Sequence, residues 1–255
     1  MRINLGLILW TIVLACSTAN SQQNDLSLLL SDLKSPEAEK RSVAYTKIAA
    51  DEDALKRSEV KAALFDLLDR ENQTLHRAKP DTDNYAESYG EYVSYLADTA
   101  AKIANWHDQR QVCILAHSPY EPDSEFASDL VTKGGTEVIP CLLKMSQGGF
   151  GDRYQSIPVL THCDALGSNE SSAIHQQVQD VIISGLRDPN VIIRQGTVEA
   201  IGKYGKQDMI PALHKIAESD PASIPRGDGQ LYFPVRESAI KAIHSIQERT
   251  NAPKP

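Results

Sequence analysis

The stretch VIISGLRDPNVIIRQGTVEAIGKY, residues 181–204, decides the fold. Apolar residues return every three or four positions on both sides of a break at Leu186, Arg187, Asp188, Pro189 and Asn190, which reads as helix, tight turn, helix. Laid against the rest of the chain, its second half finds three counterparts. Arg41, Ala44 and Ile48 share one spacing with Arg153, Ser156 and Leu160, with Arg194, Thr197 and Ile201, and with Arg236, Ala239 and Ile243. The common form is an arginine, a small residue three later and an aliphatic one seven later. Positions three and seven after the arginine lie on one helical face, where a neighbouring helix approaches closely at the first and is packed at the second. A second register sets VIPCLLK (138–144) beside MIPALHK (209–215), each ahead of an arginine-anchored helix. Each unit is therefore a first helix A, a turn and a second helix B, repeating at an interval that suits a two-helix unit.

One hairpin of this kind cannot bury its apolar face alone, and stacked units share a continuous core. The expected fold is all-α, an α-α superhelix of about six helical pairs. Expected helices are 25–34 and 36–50, 58–72 and 86–105, 108–117 and 123–133, 136–147 and 152–166, 172–186 and 190–204, 207–218 and 233–249. Longer connections are expected at 73–85, 118–122 and 220–231. No run alternates as a half-buried strand would. Hydrophobic residues make up 41% and aromatic ones only 6%, a balance that favours helices over a β-sandwich.

The segment 181–204 resembles the HEAT repeats of bacterial proteins related to the phycobilin lyases, as do residues 209–220 joined to 235–246. That resemblance implies an armadillo-like helical solenoid in which the turn aspartate and the helix-B arginine bond along the stack. Asp188 with Arg194, and Asp220 with Arg236, are the expected ladder residues. It also implies a protein-binding or peptide-binding scaffold, with the B helices lining the inner curve. Exposed positions beside the anchoring arginines, Tyr154, Gln195 and Glu237, are the first candidates for that binding face. Tyr85, Tyr89 and Tyr92 share one helical face and read either as a contact surface or as core packing in an irregular unit.

Residues 1–21 read as an export signal: Arg2 is its only charge, residues 5–14 are an apolar run, and small residues follow. Two processing routes are open, cleavage after Ser21 or lipidation of Cys16 within Val13, Leu14, Ala15 and Cys16, which resembles a bacterial lipobox. The chain then divides into a signal (1–21), a helical-repeat domain (22–250) and a tail (251–255), and the expected location is the periplasm or cell envelope. Formal charge is −8, and removal of 1–21 takes away Arg2 and no acid, leaving −9. Such a balance argues against a general nucleic-acid binder and against adsorption to anionic lipid except through a lipid at Cys16. Cys113, Cys141 and Cys163 remain, too few for a disulfide framework. A bridge between Cys113 and Cys141 on neighbouring A helices is one arrangement; core thiols at all three are the other.

Catalytic patterns are thin. Seven histidines are scattered outside any metal-binding frame, Cys113 with His117 being the nearest pair at helical spacing. Gly148, Gly149 and Gly151 belong to a turn rather than a phosphate loop. The expectation is a non-catalytic scaffold without cofactor or metal, its partner an unidentified protein or peptide. The alternatives are a lyase-like enzyme holding a tetrapyrrole and a structural envelope lipoprotein.

Overall fold

The computed structural model describes residues 25–77, 85–122, 124–165, 172–227 and 230–251, and it is mostly helical. The expected export signal, with Arg2 and Cys16, and the residues beyond Asn251 lie outside the described residues. The chain divides into two compact units, residues 1–104 and 105–255.

Unit 1 holds α1 (25–32), α2 (Ala38–Ala49), α3 (Glu52–Leu55), α4 (Ser58–Arg77) and α5 (Tyr85–Ile103). Its largest pairing is α4 against α5. Val60, Leu64, Leu67 and Leu68 on α4, and Val93, Leu96, Ala97 and Ala100 on α5, are all buried at the three- and four-residue spacing of one helical stripe. The sequence pattern did not show α3, a single turn that Asp51 initiates by accepting the N–H groups of Asp53 and Ala54 at 3.0 Å.

Unit 2 runs α6 (Gln109–Ala116), α7 (Glu125–Gly134), α8 (Ile139–Met145), α9 (Phe150–Ala165), α10 (Ser172–Gly185), α11 (Val191–Tyr204), α12 (Ile210–Ser219) and α13 (Pro234–Asn251). Short side chains start these helices where the sequence changes register. Asp108 caps α6, Ser124 caps α7 and Asn190 caps α11, each accepting N–H groups of the first turn. Pro140 and Pro211 occupy the first turns of α8 and α12, where no N–H donor is needed. Gly135 ends α7 with φ of 52°, the one positive φ among the described residues.

The helices expected as B elements pack in succession, α9 against α11 and α11 against α13, and α8 and α12 pack on α9 and α13. Small and aliphatic positions of the aligned form are buried in both units: Ala44 and Ile48, Ser156 and Leu160, Thr197 and Ile201, Ala239 and Ile243. The reason for small residues is visible at Gly202, where an added Cβ would stand 2.9 Å from the Cβ of Ala242 and force α11 and α13 apart. Between α12 and α13 lies an antiparallel ribbon, Ile224–Pro225 with Leu231–Tyr232. Two residues per strand are too few to leave an alternating signature, so that connection reads from sequence as loop.

Cys113 on α6 and Cys141 on α8 form a disulfide, their Cα atoms 5.4 Å apart, and Cys163 is buried outside it. The bridge closes a segment with 28 residues of separation and restricts the unfolded chain accordingly. Replacing both cysteines, Cys113→Ser with Cys141→Ser, is expected to lower the stability of unit 2 by about 3 to 4 kcal/mol. Urea unfolding without reductant measures this, and an unchanged midpoint would show the bridge to be dispensable.

Candidate functional site

Two sets of side chains come together on the arginine-anchored helices: a polar ladder at the turns and a groove along α9 and α11.

The ladder begins from a need common to every helix end, whose last carbonyls lack intrahelical donors. Arg194, at the start of α11, sends Nη1 to the carbonyls of Asp188 and Pro189 at 2.8 and 3.2 Å. Its remaining donors take both carboxylate oxygens of Asp220, at 2.7 and 3.1 Å. Arg153 repeats the geometry, with Nη1 on the Gly148 carbonyl at 2.8 Å and Nε on the Asp188 carboxylate at 2.8 Å. Arg236 places Nε on the Asp220 carbonyl at 2.7 Å and lies over the Phe233 ring at 4.1 Å. Arg153 and Arg194 therefore each tie their own turn through backbone oxygen and a later turn through a carboxylate, whereas Arg236 ties its own turn alone. Asp188 does meet Arg194 and Asp220 does meet Arg236, but through main-chain carbonyls; the carboxylates belong to Arg153 and Arg194. Asp220 is buried, which pushes its carboxyl up, yet the hydrogen bonds from Arg194 and Ala222 and the charges of Arg194 and Arg236 hold it below its usual value.

In unit 1, Arg41 makes a related set of bonds. It reaches the carbonyls of Ser35 and Pro36 and grips Glu71, itself 0% exposed, at 2.5 and 3.1 Å. Tyr89 donates its hydroxyl to the same carboxylate, and its ring lies 6.0 Å from that of Tyr92, which in turn meets Tyr45 edge-on. Burial and the Glu71 bond push the Tyr89 phenol up to about 12, and burial pushes Tyr92 up as well. Tyr89 is buried and Tyr92 half-buried in this cluster, whereas Tyr95 is 65% exposed. The Tyr85 side chain lies outside the described residues.

The groove, of about 500 Å³, runs between the two helices. On α11 it is lined by Ile192, Gln195, Gly196, Glu199, Ala200 and Lys203, a stripe at helical spacing that ends at Tyr204. Tyr154 and Pro158 of α9, with Glu121 and Pro122 of the connection after α6, form the facing wall. Tyr154 donates to Glu121 at 3.0 Å and stacks on Phe150. Gln195 of α11 and Ser238 of α13 donate to one Glu199 oxygen at 2.9 and 3.1 Å. Tyr204 stacks on His162, ring centroids 3.9 Å apart, and Lys203 stands 5.1 Å above the Tyr204 ring. Burial, then the Lys203 charge, lowers the His162 pKa, so its imidazole stays neutral near pH 7.

Of the expected binding-face residues, the structure places Tyr154 and Gln195 in this groove, while Glu237 is exposed on α13 and lines none of it. Sequence reasoning passed over Ile192, Glu199 and Lys203, although extending the helical stripe from Gln195 reaches all three. Glu121 lies in a connection and carries no such signal. Cys113 and His117 do not form a ligand pair: the thiol is in the disulfide, and the ring nitrogen of His117 meets the Cys113 carbonyl at 2.8 Å. Among the described residues no three metal-ligating side chains converge, and no helix is long and apolar enough to cross a membrane. No family model matches the chain, and no curated protein matches it.

Asp220→Ala leaves the Arg194 guanidinium, 12% exposed, without its carboxylate and is expected to destabilise unit 2 by about 3 kcal/mol at pH 7. Because the folded-state pKa of Asp220 is depressed, its contribution is present above its ordinary value near 4 and disappears as pH falls through the lowered value. Urea midpoints at pH 7 and pH 3 test this. The variant should lose less stability on acidification than the parent, and equal losses would contradict the assignment.

Proposed function

We propose that this chain is an exported, non-catalytic HEAT-like repeat protein that binds another protein or peptide along its B helices. In this reading α9, α11 and α13 are successive B elements of a curved solenoid, and the ladder sets their spacing. The observation that carries the proposal is the groove, which collects half-buried Tyr154 and Gln195 with Ile192, 51% exposed, on adjacent B helices. Exposed apolar residues rimmed by hydrogen-bonded polar ones are the composition of a recognition surface. Phe150, 45% exposed and stacked on Tyr154, extends the apolar strip. Export is supported by the apolar run in residues 5–14 and by the Cys113–Cys141 bridge, a bond that persists in oxidising compartments. The mature protein is assigned to the periplasm or envelope, with Cys16 as the site of lipid attachment if the lipobox route is used.

The partner is identified by capture from the host's envelope with the mature chain, then purified for affinity measurement. Ile192→Asp and Tyr154→Ala are each expected to weaken its binding about tenfold or more, the loss of an anchor that the partner covers, and Ile192→Asp, at an exposed position, is expected to leave the melting temperature unchanged. An affinity unchanged by both substitutions would refute the assignment of the groove. For the attachment route, Cys16→Ala should move the protein from the membrane to the soluble envelope fraction and abolish labelling by a radioactive fatty acid; unchanged fractionation would exclude a lipid anchor there.

A further inference from the structure

The groove's charges are unbalanced in a way that packing does not require. Glu121 is held by the Tyr154 hydroxyl, and Glu199 by the Gln195 amide and the Ser238 hydroxyl, all neutral donors. Among the described residues no ion pair reaches either carboxylate. Lys203 is spaced one turn after Glu199 on α11, the geometry of a helical ion pair, yet its ammonium lies over the Tyr204 ring instead. Two exposed carboxylates, each oriented by a neutral donor, thus line the groove together with the small residues Gly196 and Ala200.

We infer that the groove takes an extended peptide segment bearing a central arginine; this rests on the peptide-binding reading above. From Ile192 to Tyr204 a helix rises about 18 Å, which an extended chain covers in roughly five or six residues. A guanidinium suits the acceptors better than an ammonium, because its planar fork offers a carboxylate two parallel donors where an ammonium is a point charge. It is more weakly hydrated as well, so seating it beside Pro122, Pro158 and Tyr154 sacrifices less solvation. The chain's formal charge of −8 draws a basic segment towards it over longer range. Lys203 is the one like charge in the groove and sets a limit on how tightly the arginine is held.

The test uses the mature chain and four libraries of end-blocked, fluorescein-labelled hexapeptides, randomised except for a fixed third residue: arginine, lysine, norleucine or glutamate. Anisotropy titrations should rank arginine first, lysine about fivefold weaker and glutamate weakest. Glu121→Gln and Glu199→Gln should each weaken the arginine library by about threefold to fivefold and leave norleucine unchanged. Lys203→Gln should strengthen the arginine library. Preference for glutamate, equal binding of all four libraries, or indifference to both carboxamide substitutions overturns the inference. If the libraries bind without charge preference and Ile192→Asp abolishes that binding, the arginine assignment fails while the peptide reading stands. If no library binds and Ile192→Asp leaves the captured partner's affinity intact, both fail.

Discussion

At the start of α9 and of α11 an arginine has to satisfy a backbone carbonyl of its own turn and a carboxylate in the turn of the next helix pair. That double duty, seen at Arg153 and Arg194, links consecutive turns with charge-assisted hydrogen bonds in a partly buried setting. Guanidinium is the group for the task, since it offers five donors in a fixed plane and never loses its charge. Once the turns are tied, α9, α11 and α13 are brought side by side, and their small residues decide how near they come. Gly202 of α11 against Ala242 of α13 is the instance between them. Gly185, the last residue of α10, does the same against α11, where a Cβ would stand 2.7 Å from the Thr197 hydroxyl.

Unit 1 uses the same device with different parts. Its arginine, Arg41, still caps a turn, but the carboxylate is supplied by Glu71 from within α4, and Tyr89 adds a third bond. A buried charge of this kind is tolerable only when its oxygens are satisfied, which explains why Tyr89 of α5 faces inward, with Tyr92 beside it. Their dense spacing in the sequence reflects this polar core at least as much as any surface.

Helix positions were largely legible because three- and four-residue periodicity and capping residues act locally. The buried small and aliphatic positions followed from the same alignment. Partner choice along the ladder was not legible: Asp188 stands six residues from Arg194, and sequence proximity favours that pair, whereas stacking hands its carboxylate to Arg153. Nor could the groove be read whole. Tyr154 and Gln195 follow from their place beside an arginine, but Glu121 arrives from a connection whose path depends on how α6, α7 and α9 pack. The α3 turn and the ribbon at Ile224 and Leu231 are too short for periodicity to register.

A partner bound as proposed, on the face between α9 and α11, lies within reach of a label placed in the groove. Site-specific photo-crosslinking in the living host addresses it directly, with a benzophenone amino acid placed either at Ile192 in the groove or at His214, exposed on α12. A partner in the groove gives a discrete crosslinked species from position 192 and none from position 214. Crosslinking from 214 alone, or from neither position, would contradict that placement.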